Sequence, residues 1–237
     1  MDKKKFLTFS YDDGVTQDIR LIELFNKYGM KATFNLNSEL LGMDGALIRD
    51  GVEITHIKNK REDVRYIYDG HEVAAHTLTH PNLAYVKEAR EIIRQVEQDR
   101  LKLSELCGYE VLGMAYPGGG INYSDFASQT IQKHTGIKYA RTTVSSYNFD
   151  LQNDLYQFKP SVYHHVEMEK MFEMGEQFLD LKTDVPQIFY VWGHAYEFDI
   201  RNEWGKFEEF LQMMSSRKDI CYCTNIEALI GLNCKLL

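Results

Sequence analysis

The chain has 237 residues, of which 44% are hydrophobic and 26% charged, and its formal net charge is −8. This composition is that of a folded globular protein, and the length suits one large core, so we expect a single domain over residues 1–237. The negative charge leaves no broad cationic surface for phosphate groups, which argues against nucleic acid as a partner.

Short apolar runs alternate with helical patterns along the whole chain, which is typical of a parallel sheet with crossover helices. In chain order, strands are predicted over residues 6–10, 32–36, 72–75, 111–116, 138–142, 158–163, 188–192 and 220–224. Helices are predicted over residues 17–28, 83–106, 125–134, 166–181, 203–215 and 225–229. This alternation predicts an α/β fold, a single-domain distorted (β/α) barrel of seven to eight strands.

One segment, residues 42–69, follows neither pattern. It lies between the second and third predicted strands, where a crossover helix would be expected. We predict that it is an insertion that forms a surface loop or a hairpin.

The sequence carries no pattern typical of export or membrane insertion. The apolar residues 6–9 lead at once into Tyr11, Asp12 and Asp13, and no run of about 18 apolar residues is present. We therefore expect a cytoplasmic protein without a membrane partner. The cysteines are spaced unlike a small disulfide framework, so we expect free thiols at Cys107, Cys221, Cys223 and Cys234.

Polar side chains follow several predicted strands at the point where each strand ends. Asp12 and Asp13 follow the first strand, residues 117–120 follow the fourth, and His194 follows the seventh. His76 and His80 likewise follow the third strand. The carboxyl ends of parallel strands meet at one edge, so the sequence predicts that these groups share one rim.

The groups after the first and third strands have the chemistry of a catalytic metal centre. Histidines four apart share one side of a helical turn, so His76 and His80 can point at one ion. With Asp13 as the third ligand, positions stay open for water and substrate, and Asp12 can act as base. The alternative is structural: an Asp-Asp-Gly turn, a helix cap and a surface histidine.

Several motifs resemble those of the polysaccharide deacetylase family, also called carbohydrate esterase family 4 or the NodB-type domain. Residues 10–14 read Ser-Tyr-Asp-Asp-Gly, where the family has Thr-Phe-Asp-Asp-Gly, and residues 32–34 read Ala-Thr-Phe as in the family. Residues 70–80 match Gly-His-Glu-Ile-x-x-His-Ser/Thr-x-x-His, and residues 192–194 match the last motif. The resemblance covers most of the chain.

The resemblance implies a divalent ion, most often zinc, with cobalt, nickel or iron(II) as alternatives, held by Asp13, His76 and His80. It implies Asp12 as catalytic base, His194 as general acid and the Gly118 N–H as a donor to the oxyanion. The implied activity is removal of acetyl groups from sugars by a hydrolase acting on carbon–nitrogen bonds other than peptide bonds. The implied partner is an acetylated saccharide.

Two family motifs are altered. Residues 115–119 read Ala-Tyr-Pro-Gly-Gly without the arginine that opens the family's third motif, and Arg141 on the next strand is a candidate substitute. The fourth motif cannot be placed, although Asp150 and Asp154 are candidates. These departures keep two other functions open: hydrolysis of a different amide, and non-catalytic carbohydrate binding.

A last set of residues has weaker support. Tyr116 and Trp192 can line an acetate pocket or stack on a sugar ring, although strand aromatics are usually core residues. At most one of His164 and His165 can reach the rim, because adjacent residues of a strand point oppositely. Glu197 and Asp199 either hold His194 in its protonated form or belong to a solvated loop. We expect structural or exposed positions for His56, His71 and His134.

Overall fold

The computed structural model describes residues 4–231. The strands are β1 (Lys5–Asp12), β2 (Thr33–Leu36), β3 (Ala46–Arg49), β4 (Val52–Thr55), β5 (Glu72–Ala75), β6 (Gly113–Ala115), β7 (Tyr139–Arg141), β8 (Val162–Tyr163), β9 (Gln187–His194) and β10 (Ile220–Tyr222). The helices are α1 (Asp18–Lys27), α2 (Val64–Ile67), α3 (Ala89–Cys107), α4 (Asp125–His134), α5 (Met168–Asp180), α6 (Glu197–Ile200), α7 (Trp204–Met214) and α8 (Asn225–Leu229). Short 3₁₀ turns cover Arg61–Asp63, Leu83–Tyr85 and Leu155–Gln157.

The main sheet is parallel and follows the order β7-β6-β5-β2-β1-β9-β8. All eight residues of β1 are buried, because other layers of the fold cover both faces of the sheet. β10 joins at the start of β1, while β2 pairs with its end. A single parallel bridge between Arg141 and Phe158 links β7 to the segment before β8. The predicted distorted α/β barrel is therefore confirmed; that residues 1–237 form one domain stays a prediction.

The largest differences from the predicted elements have local causes. The predicted strand 158–163 is reduced to two residues, because Pro160 has no N–H to donate and divides it. The predicted helix 83–106 begins as a 3₁₀ turn and starts again at Ala89, since Val86 and Glu88 are extended. The short helices α2 and α6 are too brief to show a helical period.

The insertion at residues 42–69 contains the predicted hairpin. β3 and β4 pair antiparallel, with Arg49 opposite Val52. Asp50 and Gly51 between them have φ of 51° and 78°, the two positive values that a tight Asp-Gly turn requires. After the hairpin, residues 57–59 run beside residues 14–16, where Val15 and Lys58 form an antiparallel bridge. The insertion is thereby fixed to the chain that follows β1.

The cysteines differ in part from the expectation. Cys107 and Cys223 are buried free thiols as predicted. Cys221 is disulfide-bonded, so the prediction of a free thiol there is wrong. The alternation of a strand separates Cys221 from Cys223 but does not prevent pairing with another cysteine. Cys234 lies outside the described residues.

Within residues 4–231, no helix is both long enough and apolar enough to cross a membrane.

Candidate active site

The predicted rim residues meet in one cavity at the carboxyl ends of the strands. Asp12 ends β1 and pairs in register with His194, which ends β9. The cavity has a volume of about 780 Å³. Its lining includes seven of the residues singled out from the sequence: Asp12, Asp13, His76, His80, Gly118, Trp192 and His194.

Asp13, His76 and His80 form a cluster whose three donor atoms all lie within 4.8 Å of one another. His76 Nδ1 lies 2.9 Å from the carbonyl oxygen of Ala115, which leaves Nε2 facing the cavity. His80 Nε2 lies 3.6 Å from Asp13 Oδ1. Burial lowers the pKa of His76 to about 4 and also lowers that of His80. Two neutral imidazoles beside a carboxylate fit a divalent ion.

The two histidines reach this cluster from a loop, so the predicted helical turn is wrong. Thr77 and His80 have φ of 66° and 62°. The Asn37 amide donates to the carbonyl oxygens of His76 and Thr77, at 2.5 and 2.9 Å, in place of helical hydrogen bonds. Pro81 also disfavours a helical conformation at His80. The spacing of four was informative, but the geometry behind it is a fixed loop.

Two side chains from the insertion contact Asp13, and the sequence did not predict either contact. His56, expected to be structural or exposed, lines the cavity with Nε2 3.1 Å from Asp13 Oδ2. Lys58 Nζ lies 2.6 Å from the Asp13 carbonyl oxygen and 3.3 Å from Oδ1. Burial alone would raise the pKa of Asp13, but the His56 hydrogen bond and the Lys58 charge hold it well below its usual value. Asp13 is therefore an ionised carboxylate.

Asp12 is held by a buried ion pair. Arg141 Nη2 lies 2.6 Å from Asp12 Oδ1 and 2.5 Å from Oδ2, and the Asn35 amide donates to Oδ1 at 2.8 Å. The guanidinium also lies 4.4 Å from the centre of the Trp192 ring. Arg141 is fully buried and lies behind Asp12 instead of lining the cavity. Its position accords with a substitute for the missing third-motif arginine, and not with a contact to substrate.

His194, the neighbour of Asp12 in the sheet, is paired with Glu197, the first residue of α6. The Glu197 carboxylate accepts a hydrogen bond from the His194 backbone N–H at 2.9 Å. Its other oxygen lies 3.0 Å from Nδ1 of the His194 ring. The Tyr163 hydroxyl also donates to this carboxylate. Burial alone would lower the pKa of His194 and raise that of Glu197. Their mutual attraction outweighs burial, raising the pKa of His194 and lowering that of Glu197 to about 2.

The loop after β6 presents the Gly118 backbone to the cavity. Gly118 has φ of 91°, and an added Cβ would lie 3.3 Å from the Asn82 side-chain nitrogen, so a larger residue is disfavoured. Among residues 4–231, no atom accepts a hydrogen bond from the Gly118 N–H. Tyr116 does not reach the cavity: its ring is buried and its hydroxyl donates to the Tyr156 carbonyl oxygen. The predicted substrate contact at Tyr116 is therefore wrong, and it is a core residue.

The fourth-motif candidates lie away from the cavity. Asp150 contacts the Gln187 side chain at 3.4 Å, and Asp154 caps a 3₁₀ turn by accepting from the Tyr156 N–H at 2.9 Å. Neither aspartate lines the cavity. Asp199, the other suggested partner of His194, accepts from the Trp204 indole at 2.8 Å instead.

The remaining histidines have packing roles. His164 stacks on Phe198 at 4.3 Å between ring centres, and His165 lies 3.4 Å from Asp50. Neither lines the cavity. His71 accepts a hydrogen bond from the Ala32 N–H at 3.1 Å, as expected of a structural residue.

One part of the cavity wall is aliphatic, although the polar Asp44, Arg49 and Thr143 also line the cavity. Its large hydrophobic side chains are Leu40, Met43, Leu47, Ile121 and Val144. Ile121 is 72% exposed and Met43 is 53% exposed. Exposed aliphatic side chains beside a polar centre are a feature of ligand-binding surfaces.

Comparison with known proteins places this chain in a family. A protein-family model described as polysaccharide deacetylase matches residues 1–140 of this chain. No curated protein sequence matches the chain significantly.

Several solved structures share the fold. The "probable polysaccharide deacetylase" of Pseudomonas aeruginosa PAO1 has a TM-score of 0.69 and 12% identity, and the match covers 96% of this chain and 90% of that one. PuuE allantoinase has a TM-score of 0.67 and 11% identity, with the same coverage. BA3943 of Bacillus anthracis, described as a pseudoenzyme of carbohydrate esterase family 4, has a TM-score of 0.56 and 14% identity. The match to BA3943 covers 97% of this chain and 66% of that one. In two further structures that match, the aligned region covers 61% and 69% of the length of the other protein.

Proposed function

Because this chain belongs to the polysaccharide deacetylase family, we propose that it is a metal-dependent hydrolase that removes N- or O-linked acetyl groups from a saccharide. One observation carries the proposal: a single cavity is lined by a three-donor cluster, a carboxylate held by an arginine, and a histidine paired with a glutamate. A base and an acid beside a metal cluster are the groups that hydrolysis of an acetyl bond needs.

In the proposed reaction, Asp13, His76 and His80 hold the ion, with zinc as the expected metal. When bound, such an ion polarises the acetyl carbonyl and lowers the pKa of water. Asp12 accepts the proton of the attacking water, and Arg141 and Asn35 keep its carboxylate in place. The free Gly118 N–H faces the developing oxyanion, and one such donor contributes about 3 kcal/mol.

His194 completes the reaction by donating a proton to the departing nitrogen or oxygen. This role requires an imidazolium near neutral pH, and Glu197 supplies the charge partner that favours it. The role of Glu197 is therefore that of a positioning residue that acts through His194. Trp192 contributes one wall of the cavity beside these groups.

The Glu197→Gln variant tests this pairing through the pH profile. His194 must be protonated to act as acid, so kcat/KM falls as pH rises through its pKa. Loss of the carboxylate charge lowers that pKa, so the alkaline limb should move to lower pH. The control is Asp199→Asn, which removes a carboxylate of the same helix that lies away from His194. An unmoved alkaline limb in Glu197→Gln would count against the pairing.

A second candidate function is hydrolysis of an amide whose amine is not a saccharide. The aliphatic part of the cavity wall favours it, because Leu40, Met43 and Ile121 offer no hydrogen bonds to the hydroxyl groups of a sugar. Non-catalytic binding has less support, since a binding protein needs neither the Asp12–Arg141 pair nor the His194–Glu197 pair.

The first experiment measures acetate release with and without chelator and added zinc. The panel contains N- and O-acetylated saccharides, short and long, each with and without an alkyl aglycone, and simple N-acetyl amines. Metal-dependent release from a saccharide is the expected result. Release from the amines alone would support the second candidate. Binding of saccharide without any hydrolysis, in protein shown to hold metal, would contradict an enzymatic role.

A further inference from the structure

A buried lysine lies against the proposed metal cluster. The Lys58 residue is only 6% exposed, and its ammonium contacts both the carbonyl and the carboxylate of Asp13. Its backbone is fixed as firmly as its side chain. The Lys58 N–H donates to the Met43 carbonyl at 2.9 Å, and the Asn59 N–H donates to that of Gly14 at 2.8 Å. The Lys58 side chain is therefore held in place beside the proposed metal cluster.

The charges around the cluster cancel without any ion. Asp12 is paired with Arg141, and Asp13 is paired with Lys58. A divalent ion gains most from ligands with uncompensated negative charge, and a fixed ammonium beside a ligand oxygen opposes it. The carboxylate that would hold the ion is thus already paired with the Lys58 ammonium.

We infer that Lys58 sets the affinity of this cluster for a divalent cation. Its ammonium neutralises Asp13, so the ion binds weakly and exchanges readily. It also stabilises the carboxylate when no ion is bound, and it holds the carbonyl of a residue whose φ is 86°. This inference rests on the proposed function, since it concerns the same three ligands.

The test is the dissociation constant of Co²⁺, measured by titration calorimetry at one neutral pH. Lys58→Met keeps the length of the side chain and removes its charge, and Co²⁺ should bind about tenfold more tightly or better. Lys58→Gln is the second variant, because its amide can still donate to the Asp13 carbonyl if the methionine variant does not fold. The matched control is Lys5→Met, which removes another buried lysine at the opposite end of β1 and should leave Co²⁺ affinity unchanged.

The outcomes separate the two proposals. Tighter binding in every Lys58 variant that folds, with Lys5→Met equal to wild type, supports the inference. Equal or weaker binding in the Lys58 variants overturns it and leaves the metal site in place. Absence of Co²⁺ binding in wild type and in every variant would overturn the proposed metal site itself.

Discussion

Replacing Asp12 with asparagine is expected to lower kcat for acetate release by about a thousandfold. The amide keeps the shape of the side chain but cannot accept the proton of the attacking water. The measurement is kcat on the best acetylated substrate from the panel, at saturating metal. A kcat within tenfold of wild type would mean that Asp12 is not the base.

The buried partner of Asp12 makes a second variant necessary. Asp12→Asn leaves the Arg141 guanidinium buried without its counter-charge, and breaking such a pair costs about 3–5 kcal/mol of the free energy of unfolding. Combining Asp12→Asn with Arg141→Met removes both charges and should recover part of the lost stability. If activity stays low in the stabilised double variant, the loss is catalytic in origin; thermal unfolding by circular dichroism reports the stability of each protein.

The His194→Gln variant should lose activity in a way that depends on the leaving group. For an N-acetyl substrate, the departing amine needs a proton, and kcat should fall by about a thousandfold. For phenyl acetate, the phenolate departs without protonation, so kcat should fall by less than about tenfold. The measurement is kcat for both substrates with the same enzyme preparations.

The control for this comparison is His134→Gln, which changes an exposed histidine on α4. It should leave both rates at the wild-type value. A loss of equal size on the amide and the ester in His194→Gln would mean that His194 maintains the cavity without acting as an acid.

The sequence was most informative where residues follow strands. The strand-end rule brought Asp12 and His194 to one rim, and the two residues are direct neighbours in the sheet. The sequence also offered partners for both groups. Arg141, the candidate for the missing third-motif arginine, contacts Asp12. Of the two carboxylates suggested for His194, Glu197 contacts it and Asp199 does not, a choice that a strand-end pattern cannot make.

The contacts between the insertion and Asp13 could not be predicted from the sequence. His56 and Lys58 lie in a segment without hydrophobic periodicity, so no pattern indicated that it folds back onto Asp13. Tyr116 was misplaced for the opposite reason. Its position within the altered third motif suggested substrate contact, but its ring is buried in the core and its hydroxyl donates to the Tyr156 carbonyl oxygen.

The backbone conformation of the proposed metal cluster lowers the stability of the fold while it positions the residues for their chemistry. Asp13, Thr77 and His80 all have positive φ, where a side chain is strained by about 1–3 kcal/mol at each position. Glycine would relax every one of them, yet two of the three are proposed ligands. A lineage selected for heat tolerance could therefore lose its chemistry by substitutions that strengthen the fold. An inactive descendant of such an enzyme need not be a decayed protein; it can be the more robust one.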